Sequence, residues 1–152
     1  MKLSNRQDIE APIDSVYAVA SDFAAIERMM AKRGVAVEPD PVSPASGPGK
    51  RWAARAKWRG REHLIRSELV SVEKGQGYAI ESVSGGVVCM TVVDLVALSK
   101  TQTRLFVSME LRPTTLSARL LLQSLRLAKG RLTGRLKTRM ADFAHRIEAG
   151  RA

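Results

Sequence analysis

The side chains able to do chemistry are few, and they do not cluster along the chain. His63 and His145 are the two histidines of a 152-residue sequence, far apart and without a nearby second ligand. A metal site needs at least three protein ligands, so no metal is expected. Cys89 has no activating neighbour and reads as a small buried hydrophobe. Gly47-Pro48-Gly49-Lys50 lacks the spacing and the Lys-Ser/Thr ending of a phosphate loop, and it precedes a strand pattern. No cofactor is expected. The most suggestive acid is Asp94, within Met90-Thr91-Val92-Val93-Asp94-Leu95-Val96. With Met90, Val92 and Val96 facing inward, Asp94 would be a candidate acid, base or ligand anchor with a perturbed pKa. With Val93 and Leu95 inward, it would simply be exposed. Both faces of this stretch are apolar, so alternation alone leaves the two cases open. Glu81 and Arg66 share that ambiguity.

Apolar side chains form clearer patterns. Trp52, Ala54, Ala56 and Trp58 fall on one face of a strand pattern, against Arg51, Arg55, Lys57 and Arg59 on the other. Two large rings flanking two alanines leave space between them, although core packing is the commoner use of such a face. Met29, Met30, Met90, Met109 and Met140 add adaptable apolar surface. Tyr78 brings an apolar ring with a polar tip. Arg131, Arg135 and Arg139 recur at every fourth position beside an apolar stripe. Their commonest role is a solvated helix face; the sharper alternative is docking to an anionic membrane surface.

The elements that must position these residues follow from punctuation and periodicity. Leu3 to Ile9 has the length of a strand. Pro12 opens a short helix with Asp14 and Ser15 in its first turn, and Ser21-Asp22 offers the cap of a second helix that Gly34 stops. Val35 to Glu38 is a brief strand. Four prolines between Pro39 and Gly49 exclude helix and central strand, leaving a loop of a length that is often functional. Strands then follow over Trp52–Trp58, His63–Val72, Tyr78–Val83, Val87–Leu98 and Leu105–Leu111, with Ser84-Gly85-Gly86 as a hairpin signal. From Thr115 onward no proline occurs. Leu116, Leu120, Leu125, Ala128, Leu132, Leu136, Met140, Phe143 and Ile147 keep helical spacing, which predicts one long terminal helix. Gly130 and Gly134 inside it would mark a bend or room for a close neighbour.

Length and composition bound the rest. A chain of 152 residues with 45% hydrophobic and 26% charged residues reads as one globular domain over 1–152. No apolar run approaches the ~20 residues that cross a bilayer, and no signal-peptide pattern opens the chain. With a single cysteine, a cytoplasmic location is expected. The net charge of +10 attracts anions without specificity. Aromatics at 5% leave few base-stacking platforms, so nucleic acid is not the expected partner.

Taken in order, these elements resemble the START-like or SRPBCC helix-grip superfamily, which includes polyketide cyclases, a coenzyme-Q-binding branch and the birch-pollen-allergen type. Ile9-Glu10-Ala11-Pro12-Ile13-Asp14-Ser15-Val16-Tyr17 is similar to its opening pattern, and Ser21-Asp22-Phe23 to its second helix start. Met140-Ala141-Asp142-Phe143-Ala144-His145-Arg146-Ile147-Glu148 is similar to the tail of its gripped helix. The resemblance implies an α+β fold in which a curved antiparallel sheet of about seven strands wraps around a long C-terminal helix, leaving an apolar cavity. Catalytic residues differ between branches, so none is carried over.

The expected function is binding or carriage of a hydrophobic small molecule of lipid, quinone or polyketide-like kind. Its cavity would be lined by Trp52, Trp58, Tyr78, Met90, Met109 and Phe143, with Tyr17, Phe23 and Met30 near one end. The alternatives are a cyclase or dehydratase using the same cavity, and a basic protein that docks to an anionic membrane or to a protein partner.

Overall fold

The computed structural model describes residues 1–58 and 60–150. The chain begins with β1 (Lys2–Ile9), α1 (Ile13–Ala20), α2 (Phe23–Lys32) and β2 (Ala36–Pro39). It continues with β3 (Arg51–Trp58), β4 (Arg61–Glu73), β5 (Gly77–Ser84), β6 (Val87–Ala97) and β7 (Thr103–Pro113). Two helices end it, α3 (Leu116–Arg126) and α4 (Lys129–Gly150). All seven strands form one curved antiparallel sheet in the order β1-β7-β6-β5-β4-β3-β2, so the first strand closes beside the last.

Local chemistry accounts for the punctuation. The Asp22 carboxylate accepts the Ala25 amide at 3.1 Å, capping α2. Gly85 and Gly86 both take positive φ, +54° and +80°, which is what a two-residue hairpin turn of the sheet's own twist requires. Thr115 caps α3 through the Ala118 amide at 3.0 Å.

Register decides which side chains face in. Leu3, Ile9, Val93, Leu95 and Leu105 are buried, and alternation carries Thr91, Val107 and Met109 to the same face. Tyr78 pairs with Val93 and Ile80 with Thr91, so both also point inward. The sealed part of the core lies at one end of the molecule. There Ile9, Val16, Val93, Leu95 and Leu105 meet Met140, Ala144 and Ile147 of α4. Polar ties hold this end shut: Thr103 Oγ1 donates to the Ala11 carbonyl at 2.8 Å, and the Glu10 amide donates to Glu148 Oε2 at 2.9 Å.

The terminal segment is two helices, not the single one that its periodicity predicts. The amides of Leu127 and Ala128 bond back to Ser124 and Leu125, three residues earlier, and this tighter turn interrupts the helix. α3 then packs on β7 and α4 on β1. Gly130 and Gly134 lie beyond that turn, within α4, and an added Cβ at either would meet nothing within 4 Å.

Candidate functional site

Three rings from three elements meet at the β3–β5 side of the sheet. Phe23, at the start of α2, stands 5.4 Å from Trp52 and 5.0 Å from Tyr78, centroid to centroid, in tilted and edge-on arrangements that suit aromatic quadrupoles. The Tyr78 hydroxyl donates to the Ala20 carbonyl at 2.7 Å. Burial pushes the Tyr78 pKa up to about 12, so the phenol remains a neutral donor. Phe23 and Tyr78 border a pocket of about 340 Å³, with Tyr17, Leu69 and Val72 as further walls and the loop residues Ala45, Ser46 and Gly47 across it, while Trp52 backs Phe23 from outside that lining. That loop is tied down by the Gly49 amide, which donates to the Leu69 carbonyl at 2.7 Å.

A charged pair flanks the rings. Trp52 Nε1 donates to Glu27 Oε2 at 2.9 Å, and Lys50 Nζ lies 4.0 Å from the same oxygen. The Lys50 ammonium also donates to the Ala45 carbonyl at 3.0 Å and sits 5.4 Å from the centroid of the Trp52 ring. Both charged side chains are largely buried, and such a pair persists when further hydrogen bonds satisfy its members, as here.

Beyond the rings, the inward face changes character. Ile80, Thr91, Met109 and Leu111 point inward yet remain partly accessible, whereas Phe143 on α4 is half-buried against the sealed cluster. No residue of α2 is fully buried, although Ile26, Met29 and Met30 are apolar. Side chains on the same strands are sealed at Val93, Leu95 and Leu105. The interior is therefore packed at one end and accessible at the other. Polar groups there are mostly paired: Ser67 and Ser82 hydroxyls lie 2.8 Å apart. The exception is the Asn5 amide nitrogen, buried without a hydrogen-bond partner among the described residues. Burial pushes the Cys89 thiol up, so it stays protonated.

The structure brings Tyr17, Phe23, Trp52 and Tyr78 together and places Met30, Met109 and Phe143 on inward or half-buried surfaces. Three expectations need correction. Met90 pairs with Glu81 and Glu110 on the outer face, because Val93 and Leu95 fix the opposite parity as inward. Asp94 is exposed for the same reason and cannot serve an interior reaction. Trp58 lies six residues from Trp52 along β3, roughly 20 Å away, 45% exposed and with its ring tilted against that of His63. On the outer face of β3, Arg51, Arg55 and Lys57 are exposed as expected, while Arg59 lies outside the described residues. Glu81 and Arg66 border a second, larger hollow of about 470 Å³ on that outer side, where Glu38, Asp40, Arg51 and Glu68 make the lining charged and unsuited to an apolar guest.

Residue types alone missed Glu27, Lys50 and Asn5. Glu27 and Lys50 are brought together only by the packing of α2 on the sheet. Asn5 falls on the alternating face of Leu3 and Ile9, but nothing in the sequence shows that its amide goes unpaired.

Among the described residues, no three of His, Cys, Asp and Glu converge as metal ligands. The sequence matches no protein-family model and no curated protein. Solved structures do match. The Zhui aromatase/cyclase from Streptomyces sp. R1128 superposes with a TM-score of 0.68 at 14% identity, covering 99% of this chain and 97% of that one. Norcoclaurine synthase from Thalictrum flavum, in truncated form, gives 0.68 at 14% identity, covering 97% and 92%. Ara h 8.0201 gives 0.60 at 11% identity, covering 91% and 98%. With its curved sheet and terminal helix, the chain has the helix-grip fold of the START-like, or SRPBCC, superfamily.

Proposed function

We propose that this protein binds and carries an apolar small molecule between its sheet and the terminal helices. The observation that supports this most is the contrast along the interior: sealed at Val93, Leu95 and Leu105, accessible at Ile80, Thr91, Met109 and Leu111. Protein interiors are ordinarily close-packed with few voids, so an inward face left accessible favours a place for a guest. Apolar burial at roughly 25 cal/mol per Å² would supply most of the affinity.

Native mass spectrometry of the protein purified from its own host tests this directly. A retained molecule at near one-to-one ratio is expected, together with uptake of an environment-sensitive hydrophobic dye. Phe23→Ala should weaken dye uptake about tenfold or more, by removing one ring of the aromatic wall. Absence of both retained molecule and dye uptake in the wild type would rule carriage out.

A cyclase or dehydratase is the second reading, because Asp22, Lys50, Tyr17 and Tyr78 all border the pocket. Three of these four are already engaged. Asp22 caps α2, Lys50 serves Glu27 and Ala45, and Tyr78 serves Ala20. Turnover of a linear polyketone that Lys50→Met abolishes, with dye uptake retained, would establish the enzyme instead.

A further inference from the structure

We propose that α3 and the first turn of α4 form a docking face for an anionic lipid bilayer. α3 is apolar on two opposite sides. Ala118 and Leu122 are buried against the sheet, with Leu125 half-buried beside them. Leu116, Leu120 and Leu127 are spaced by four and seven residues, which aligns them along the opposite side, exposed to 72%, 57% and 92%. Leu127 keeps helical backbone angles, so the ridge continues through the tight turn.

Charge selects the occupant. Between Glu110 and Asp142 the sequence holds eight basic residues and no acidic one. Arg119 and Arg126 follow Leu116 at three and ten residues and so flank the leucine ridge, while Lys129 and Arg131 extend the basic border onto α4. Exposed leucines whose charged neighbours are all cations are what an interfacial helix presents to headgroups and the outer acyl chains. No described helix is long and apolar enough to cross a membrane, which leaves surface association. Arg135 and Arg139 lie further along the same exposed basic side.

The position of α3 adds a consequence for the interior. The Thr114 amide donates to the Gly86 carbonyl at 2.7 Å, which anchors the start of α3 at the β5–β6 hairpin. Cys89 and Leu111, partly accessible and inward-facing, pair with each other at that same end of the sheet. A bilayer on α3 would meet the accessible end of the molecule, away from its sealed core.

This inference does not rest on carriage, since vesicle association needs no guest. The test is flotation of the full chain with vesicles of neutral phosphatidylcholine, or of the same lipid with about 30% phosphatidylglycerol. Binding to the anionic vesicles should be at least tenfold tighter, roughly, and should weaken as salt rises from about 0.1 to 0.5 M. The triple substitution Leu116→Ser, Leu120→Ser, Leu127→Ser leaves every charge in place and should weaken anionic-vesicle binding about tenfold or more. Arg119→Gln with Arg126→Gln should remove most of the preference for anionic over neutral vesicles. Thermal unfolding of both variants verifies that they fold, as all five side chains are exposed. Wild-type-like binding by the leucine triple would overturn the proposal. So would the absence of association, or displacement from vesicles by a DNA duplex at equal phosphate, which would mark a generic polyanion surface.

Discussion

The hydroxyl of Tyr78 joins the wall of the pocket to the last turn of α1 through its bond to the Ala20 carbonyl. Tyr78→Phe would remove that donor and leave a partly buried carbonyl unserved, costing about 1 kcal/mol in urea unfolding. The same group sets an alkaline limit. Its folded pKa of about 12 stands above the ordinary tyrosine value of 10.0, so the unfolded chain loses the proton first. Stability from this group is whole below about pH 10 and falls as pH rises toward about 12, by roughly 2–3 kcal/mol in total. Unfolding midpoints measured across that range in wild type and Tyr78→Phe check this, since the variant should lack that component of the slope. The rings of this site were legible in sequence because large aromatics announce themselves. Met90 and Asp94 were not, because β6 alternates apolar residues on both faces and only its pairing with β5 and β7 fixes parity. Lys50 and Glu27 gave no signal, being adjacent only in space.

At the scale of elements, α3 depends on one cap and one turn. Thr115→Ala should cost about 1 kcal/mol by freeing the Ala118 amide, as measured by chemical denaturation. Gly86→Ala should cost more, because its Cβ would meet Thr115 Oγ1 at 2.6 Å in a backbone with φ +80°. Gly134→Ala acts in the other direction. An added methyl meets nothing within 4 Å, so helix propensity alone should raise stability by about 0.5–1 kcal/mol. The split between α3 and α4 could not be read from the sequence, because the buried Ala118 and Leu122 and the half-buried Leu132 and Leu136 stay in phase across it. Neither proline nor glycine marks the turn at Leu127 and Ala128. The break falls where the support changes from β7 under α3 to β1 under α4.

For the molecule as a whole, element order carried the fold: strand, two short helices, a meander and an apolar tail have few ways to bury their faces together. The sequence could not reveal how completely that burial closes, since the same methionines and valines serve a filled core or a lined hollow. A bound apolar guest should therefore act as a stabiliser. At about 100 times its dissociation constant it would add roughly 2.7 kcal/mol, a rise of about 5–10 °C in the melting temperature relative to delipidated protein. Scanning calorimetry of loaded and extracted samples would measure it. The far margin of the sheet has a separate consequence. β2 spans only Ala36–Pro39, and its final residue has no amide hydrogen to donate. Incoming strands find little template there, so β2 discourages fibrillar stacking of crowded copies at this border.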